Sequence, residues 1–397
     1  MADLLKYLPT TRKEMELRGW DEVDIVFFTG DAYIDHPSFG AAVLGRVLEA
    51  AGYRVAIVPQ PDWHGDFRDF TKFGRPRICF AVSAGSMDSM VNHYTAAKRR
   101  RSDDAYTPEG KAGARPDYCT ITYCKILKQL YPDVPIVIGG IEASMRRLTH
   151  YDYWQDKLLP SILVDSGADM LVYGMGEQAM KEIVDRGFIH DIPQTAFLTS
   201  DKSEIPEDAI MLASHEEALR DKRKHAENFR LMEIESNKIH QTTLVQPVGK
   251  QWVVVNPSYP PITTEQLDAI YDLPYQYAPH PKYKDKHIPA YEMIKWSVCM
   301  HRGCFGGCSF CTISAHQVSY PTGMVSYRIW AVPLPICTLC TARTCRSVRS
   351  VHAPVVCNPI FARISIRILS RCWISIARWI NCRMSSMHSL ARVSAMT

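Results

Sequence analysis

Short, continuously apolar runs alternate with amphipathic stretches along the first half of the chain. Strands that are apolar throughout have helices on both faces of their sheet, and the intervening stretches carry apolar side chains at helical spacing. This alternation predicts an α/β fold with a doubly wound, parallel sheet in the N-terminal domain. The predicted strands cover residues 24–28, 53–58, 77–82, 136–138 and 169–173.

Small residues follow four of these apolar runs. In doubly wound sheets, ligands bind at the carboxyl ends of the parallel strands, so we expect a binding site where these residues meet. The alternative is that the glycines only make tight turns. The four segments are Thr29-Gly30, Ser83-Ala84-Gly85, Gly139-Gly140 and Gly174-Met175-Gly176.

The pattern changes after residue 200. Residues 200–240 are charged and predict a helical connector, whereas residues 244–257 predict a small β element. Thr263 with Gln266 three residues later predicts a capping box at the start of a short helix, because each side chain bonds the backbone N–H of the other residue. Residues 271–287 are rich in Tyr, Pro and Lys and predict an ordered linker.

The overall composition excludes several classes of protein. The chain has 397 residues, of which 46% are hydrophobic and 22% charged, as in soluble globular proteins. No apolar run approaches the ~18 residues of a membrane-spanning helix, so no membrane partner is expected. The first 20 residues mix both charges and lack the apolar core of a secretory signal. These features predict a cytoplasmic protein.

The strongest chemical signal is a group of three cysteines within eight residues, namely Cys304, Cys308 and Cys311. Glycines between them allow the chain to curl tightly around one metal centre. A structural zinc site needs four ligands, and an electron-carrying [4Fe–4S] cluster normally has four cysteines. Three thiolates leave one iron open to a small molecule. Cys299 offers a fourth thiol, so a zinc or ferredoxin-like site stays open as the alternative. By contrast, we interpret Cys79, Cys119 and Cys124 as inert core thiols.

The CxxxCxxC spacing, with an aromatic residue before the last cysteine, resembles that of radical S-adenosylmethionine (SAM) enzymes. This resemblance implies that Cys304, Cys308 and Cys311 bind a [4Fe–4S] cluster, that SAM binds the open iron, and that Phe310 lies near the SAM adenine. It also implies reductive cleavage of SAM to a 5′-deoxyadenosyl radical, with electrons from a reductant such as flavodoxin or ferredoxin. The substrate is not implied.

From Met1 to about Gln317, the chain is similar to the YgiQ family (UPF0313) of radical SAM proteins. The resemblance implies an N-terminal α/β domain, which we place in residues 1–200. The pattern described above predicts a connector with a small β element in residues 201–287. The resemblance also implies that residues 288–317 start a partial (β/α) barrel with the cluster loop. The segments that carry the resemblance are 31–40, 86–94, 139–147 and 304–311.

A more distant resemblance links the N-terminal sheet to the cobalamin-binding domains of other radical SAM enzymes. Those domains use the motif Asp-x-His-x-x-Gly, whereas here Asp35 and His36 are adjacent and Gly40 lies four residues further on. Cobalamin is therefore not expected. Asp35 and His36 follow a strand end and either face a substrate or belong to a turn closed by Pro37.

The last 80 residues differ in composition from the rest. Residues 318–397 contain ten Arg, no Lys and no Asp or Glu, which leaves 36 basic and 42 acidic residues in the preceding part. We interpret this segment as an aberrant, disordered basic tail that follows a reading-frame shift. The barrel of the resembled family needs more than the 86 residues that follow Cys311, which puts the activity of this chain in doubt. The alternatives are a nucleic-acid-binding tail and a metal module on Cys337, Cys340, Cys345 and Cys357.

The sequence therefore favours a radical SAM iron–sulfur protein. The competing hypothesis is a non-catalytic protein that binds metal or nucleic acid and uses the cysteine loop structurally. Because the excess of positive charge is confined to the tail, nucleic acid is not the expected partner.

Overall fold

The described residues form a nine-stranded sheet and three two-stranded sheets. The structure is a computed structural model that describes residues 4–238 and 240–297 and the backbone of residues 301–302 and 322–324. Residues up to Lys295 belong to one compact unit, which is the unit discussed below. The strands are β1 Ile25–Thr29, β2 Ile34–Asp35, β3 Val55–Pro59, β4 Cys79–Ser83, β5 Ile136–Gly139, β6 His150–Asp152, β7 Lys157–Leu159, β8 Met170–Val172, β9 Thr195–Thr199, β10 Ile210–Met211, β11 Leu244–Val248, β12 Gln251–Val255, β13 Ala278–Pro279, β14 His301–Arg302 and β15 Thr322–Met324.

The strand order in the main sheet is β10-β11-β12-β9-β8-β5-β4-β1-β3. The five strands β3, β1, β4, β5 and β8 are parallel to one another. β9 is antiparallel to β8, and the hairpin β11–β12 continues the sheet in antiparallel pairing. The small pairs are β2–β13, β6–β7 and β14–β15, all antiparallel. The predicted α/β fold with a large, predominantly parallel sheet is confirmed.

Helices connect the parallel strands and cover both faces of the sheet. Helix α5 begins at Cys119 and the two-turn α11 at Thr264. The helices are α1 Arg12–Leu17, α2 Gly40–Ala50, α3 Arg68–Thr71, α4 Ser89–His93, α5 Cys119–Leu130, α6 Gly140–Met145, α7 Ile162–Ser166, α8 Glu177–Arg186, α9 His215–Arg220, α10 Lys222–Ser236, α11 Thr264–Tyr271 and α12 Pro289–Ile294, with 3-10 turns at Leu4–Lys6, Pro108–Gly110, Lys202–Glu204 and Pro281–Tyr283.

Strand β1 shows why its sequence is apolar throughout. All five of its residues are buried. Val26 and Phe28 join the apolar cluster that contains residues of α5 and α7, whereas Ile25 and Phe27 join the cluster that contains residues of α2 and α8. Successive side chains of a strand point to opposite faces, so both faces of this sheet must be covered.

The segment from 244 to 257, predicted as a small β element, is part of the main sheet. β11 and β12 are joined by a two-residue turn, because Val248 pairs with Gln251. Val253 and Val254 of β12 pair with β9 at Leu198 and Phe197. The sheet therefore extends well beyond residue 200, although the domain boundaries stay a prediction.

Helix α12 brings the described chain to the edge of the cysteine motif. Ile288, which precedes this helix, and Ala290 in its first turn are buried in the cluster that includes residues of α2 and α8. The Ala290 N–H donates to Ala105 O at 2.8 Å. The predicted cluster loop and basic tail lie outside the described residues, apart from the backbone of β14 and β15. Within the described part of the chain, no helix has the length and apolar character needed to cross a membrane.

Candidate functional site at the carboxyl ends of the parallel strands

The order of the parallel strands marks one position as the expected ligand crevice. β1 lies between β3 and β4, so the chain crosses to opposite sides of β1 in its first two connections, and ligands bind beside such a switch point. A cavity of about 380 Å³ opens there, at the carboxyl ends of β1, β4, β5 and β8. We call it the strand-end cleft. It brings together residues of all four predicted segments, namely Thr29, Ser83, Gly85, Gly139, Gly140 and Gly174 to Gly176.

Two glycines of the cleft are required by their surroundings. Gly85 has φ of +105°, and a Cβ at this position would lie 2.2 Å from Asp31 Oδ1. Gly140 has φ of +80°, and its Cβ would lie 2.6 Å from Ser83 Oγ. Both positions favour glycine for backbone conformation and for space. The space that they leave is filled by side chains of the protein, so the tight-turn interpretation accounts for these two.

A buried charge network fixes the wall of the strand-end cleft. Arg115 Nη2 donates to Asp31 Oδ1 at 2.9 Å, and Arg115 Nε donates to Asp104 Oδ2 at 3.1 Å. The other Asp31 oxygen accepts from the Ser86 backbone N–H at 2.6 Å and from its hydroxyl at 2.8 Å. Burial raises the pKa of Asp31, and the Arg115 charge opposes that rise. The network ties the loops after β1 and β4 together.

Two helices begin at the strand-end cleft. Phe39 and Gly40 at the start of α2 line it, as do Gly176 and Glu177 at the start of α8. The residues that precede these helices are Phe39 and Gly176. Neither side chain accepts a hydrogen bond from the first N–H groups of its helix. The helix ends favour hydrogen-bond acceptors, whereas the Asp31 carboxylate is already bonded to Arg115 and Ser86. The cleft therefore offers backbone N–H groups to a small molecule that carries a hydrogen-bond acceptor.

Asp35 and His36 do not line this cleft, although their neighbours Ile34 and Pro37 do. Asp35 is fully buried and accepts a hydrogen bond from Arg46 Nε at 3.1 Å. His36 Nδ1 accepts from the Ser38 N–H at 3.0 Å, and the ring packs edge-on against Tyr277. Burial lowers the pKa of His36 to about 4. These are the contacts of a structural turn, which was one of the two interpretations of the pair.

The surroundings of the three core thiols agree with their interpretation as inert. Cys79, Cys119 and Cys124 are free and buried. Burial raises the pKa of the Cys79 thiol to about 12 and raises the pKa of the other two as well. A thiol with a raised pKa forms little nucleophilic thiolate at neutral pH.

The predicted cluster ligands Cys304, Cys308 and Cys311, and Phe310 beside them, lie outside the described residues. Their roles therefore stay predictions. Within the described residues, no group of three His, Cys, Asp or Glu side chains is placed to hold a metal ion.

One structurally important carboxylate was not singled out by the sequence analysis. Glu142 is buried, and its two oxygens accept hydrogen bonds from the Ser89 N–H at 2.8 Å and the Thr120 N–H at 2.9 Å. It therefore ties α6 to the first residues of α4 and α5. The Gly139-Gly140-Ile141-Glu142 segment contains it, but no periodicity indicates that a carboxylate in this segment is buried.

Comparisons with known proteins agree with this architecture. Residues 7–297 match the family described as radical SAM N-terminal. The chain therefore belongs to the radical SAM N-terminal family.

Its relatives are UPF0313 proteins, which confirms the resemblance seen in the sequence. One from Bacteroides thetaiotaomicron is 60% identical over 79% of this chain and 54% of its own length. One from Porphyromonas gingivalis is 61% identical over 79% of this chain and 51% of its own length. The chain thus spans about half the length of these curated relatives.

A solved structure with a partial likeness is TsrM from Kitasatospora setae, a radical SAM methyltransferase with tryptophan substrate and a SAM analogue bound. It is 16% identical, with a TM-score of 0.30, over 45% of this chain and 29% of its own. A likeness of this size carries no argument about the present chain.

Proposed function

We propose that this chain is an iron–sulfur protein of the radical SAM type. The observation that carries the proposal is a juxtaposition along the chain. The match to the radical SAM N-terminal family ends at residue 297, and CxxxCxxC begins seven residues later, at Cys304. Cysteine thiolates are the usual ligands of iron–sulfur clusters, so the donor set fits the group.

In this proposal, Cys304, Cys308 and Cys311 hold a [4Fe–4S] cluster and Phe310 contacts the adenine of SAM. When bound, the cluster would supply the electron that cleaves SAM to a 5′-deoxyadenosyl radical. We further propose a cytoplasmic location and a flavodoxin or ferredoxin as electron donor. The substrate is not assigned.

Anaerobic reconstitution with iron and sulfide tests the cluster. We expect about four irons per chain and, after reduction, 5′-deoxyadenosine from added SAM. The triple variant Cys304→Ala, Cys308→Ala, Cys311→Ala loses the iron, whereas the matched control Cys337→Ala, Cys340→Ala keeps it. Retention of the iron by the triple variant refutes the ligand assignment.

Cys299→Ser separates the proposal from its main rival. A three-cysteine cluster keeps its iron in this variant, whereas a closed four-cysteine site loses its metal.

A purified protein that contains zinc and takes up no iron favours the non-catalytic metal-binding hypothesis. If nucleic acid binds instead, its affinity falls steeply with salt. A corrinoid absorption spectrum in the purified protein contradicts the expectation that cobalamin is absent.

A further inference from the structure

A second cavity, of about 700 Å³, lies between the segment that follows α6 and helix α10. It shares only Ser86 and Ile141 with the strand-end cleft. Its volume falls in the range of small-molecule sites. We call it the Arg147 cavity. Its apolar wall includes Met87, Met145, Leu148, Trp154, Phe229 and Met232.

The buried arginines of the described chain fall into two groups. Arg46, Arg115 and Arg146 each form an ion pair with at least one aspartate. Their partners hold the pKa of each guanidinium above its ordinary value. Arg147 is only 5% exposed, yet none of the described carboxylates lies within ion-pair distance of it. Burial lowers its pKa, in the opposite direction to the other three.

The guanidinium of Arg147 has few polar contacts with the described residues. Nη1 donates to Ser144 O at 2.7 Å, and the group lies 4.8 Å from the centre of the Tyr173 ring. Nε is buried without a hydrogen-bond partner among the described residues. The carboxylate of Glu233 attracts the cation only from beyond ion-pair distance. An arginine stays protonated in proteins, so this cation lacks a compensating anion.

The other ionisable groups of the cavity limit the charge of a ligand. Asp88 is paired with Arg146. Burial lowers the pKa of His150 to about 4, so that ring is neutral at pH 7, and burial also lowers the pKa of His225. Asp152 lines the cavity with one buried oxygen that has no hydrogen-bond partner among the described residues. The Asp152 carboxylate would therefore repel a second negative charge on a ligand.

We propose that the Arg147 cavity binds a small molecule with a single carboxylate and an apolar, aromatic body. A carboxylate on the ligand would supply the anion that the Arg147 guanidinium lacks, because a guanidinium pairs with a carboxylate through both charge and hydrogen bonding. Methionine and aromatic side chains in the wall provide the surface for a flat apolar body. The residues that line this cavity do not include the cysteines of the proposed cluster motif.

The test compares two probes of the same shape, 1-naphthoate and the neutral 1-naphthamide, by calorimetric titration of the full chain. We expect naphthoate to bind at least ten times more tightly than the amide. Arg147→Gln should lower the naphthoate affinity at least tenfold and leave the amide affinity unchanged. Arg147→Lys, which keeps the charge but not the planar guanidinium, should lie between them. The exposed control Arg186→Gln should change neither.

Two further measurements keep the proposal testable if Arg147→Gln folds poorly. Phe229→Ala, on the partly exposed wall, should weaken both probes by a similar factor. Arg147→Met should keep or raise the unfolding midpoint, because it removes a buried cation without an anion. Equal binding of acid and amide, no binding of either at millimolar concentration, or a large loss of stability in Arg147→Met overturns the proposal.

Discussion

His36 is 1% exposed, and burial lowers the pKa of its ring to about 4. In an unfolded chain the pKa of histidine is about 6.5. Between these values the unfolded state binds more protons than the folded state, so the free energy of unfolding falls as the pH drops. We expect this residue alone to cost about 2 kcal/mol between pH 7.5 and pH 5.

His36→Gln should therefore reduce the pH dependence of stability by about that amount. Urea unfolding at pH 7.5 and pH 5 measures the difference for the wild type and the variant. His64→Gln serves as the control, because the His64 side chain is 65% exposed. An unchanged pH dependence in His36→Gln contradicts the assignment.

Arg115 forms ion pairs with two buried carboxylates, those of Asp31 and Asp104. Arg115→Met leaves Asp31 and Asp104 unpaired in the interior, and breaking such a buried pair costs about 3–5 kcal/mol. Urea unfolding at pH 7.5 should show this loss. Arg68→Met, at a side chain that is 89% exposed, should leave stability unchanged. A loss in Arg115→Met no greater than in that control argues against the network.

Single residues were the hardest part of the structure to predict from the sequence. Arg115 lies between the predicted strands 77–82 and 136–138, and its partner Asp31 is 84 positions away. Neither periodicity nor composition indicates which distant side chains meet. The pairing of Asp35 with Arg46 and the unpaired state of Arg147 depend on tertiary packing in the same way.

At the scale of elements, the capping box before α11 is confirmed. The Thr263 hydroxyl accepts from the Gln266 N–H at 3.2 Å, and the Gln266 side chain accepts from the Thr263 N–H at 2.9 Å. Thr263→Ala removes this acceptor and should lower the free energy of unfolding by about 1 kcal/mol. Thr263→Ser keeps a hydroxyl and should stay within experimental error of the wild type in the same urea titration. Equal losses in both variants contradict a capping role.

The local sequence pattern predicted secondary-structure elements well where a single physical rule determines them. Continuous apolar runs gave the parallel strands, because both faces of the sheet are covered. The position of residues 244–257 in the fold could not be predicted by such a rule, since a hairpin pattern does not indicate which strand the hairpin pairs with. In the structure, the free edge of β9 accepts β12, and the predicted separate element becomes part of the sheet.

At the scale of the whole molecule, the sequence predicted that four strand ends would form one site, and the strand-end cleft contains all four. The Arg147 cavity was not predicted. It combines a wall from residues 86–91 and 141–154 with a wall from α10, and no sequence motif spans these segments.

The segment predicted as a linker holds the N-terminal part of the fold in place. β13 pairs with β2, and the Tyr33 N–H donates to the Tyr283 hydroxyl at 3.2 Å. His280 stacks on the Tyr33 ring, and Ile288 is buried in the same apolar cluster. Tyr283, Ile288 and Ala290 of this segment therefore belong to the core of the molecule.

This arrangement predicts where the chain can be shortened. Every described member of the three apolar clusters lies between Tyr7 and Ile294, so a fragment of residues 1–297 should unfold cooperatively, with the thermal midpoint of the full chain. A fragment that ends at residue 257 lacks β13, Tyr283 and α12 and exposes the apolar surface that they cover. Because burial of such surface contributes about 25 cal/mol per Å², we expect a markedly lower midpoint for this shorter fragment. Scanning calorimetry of the three proteins decides the matter, and equal midpoints for the two fragments would show that residues 258–297 do not stabilise the fold.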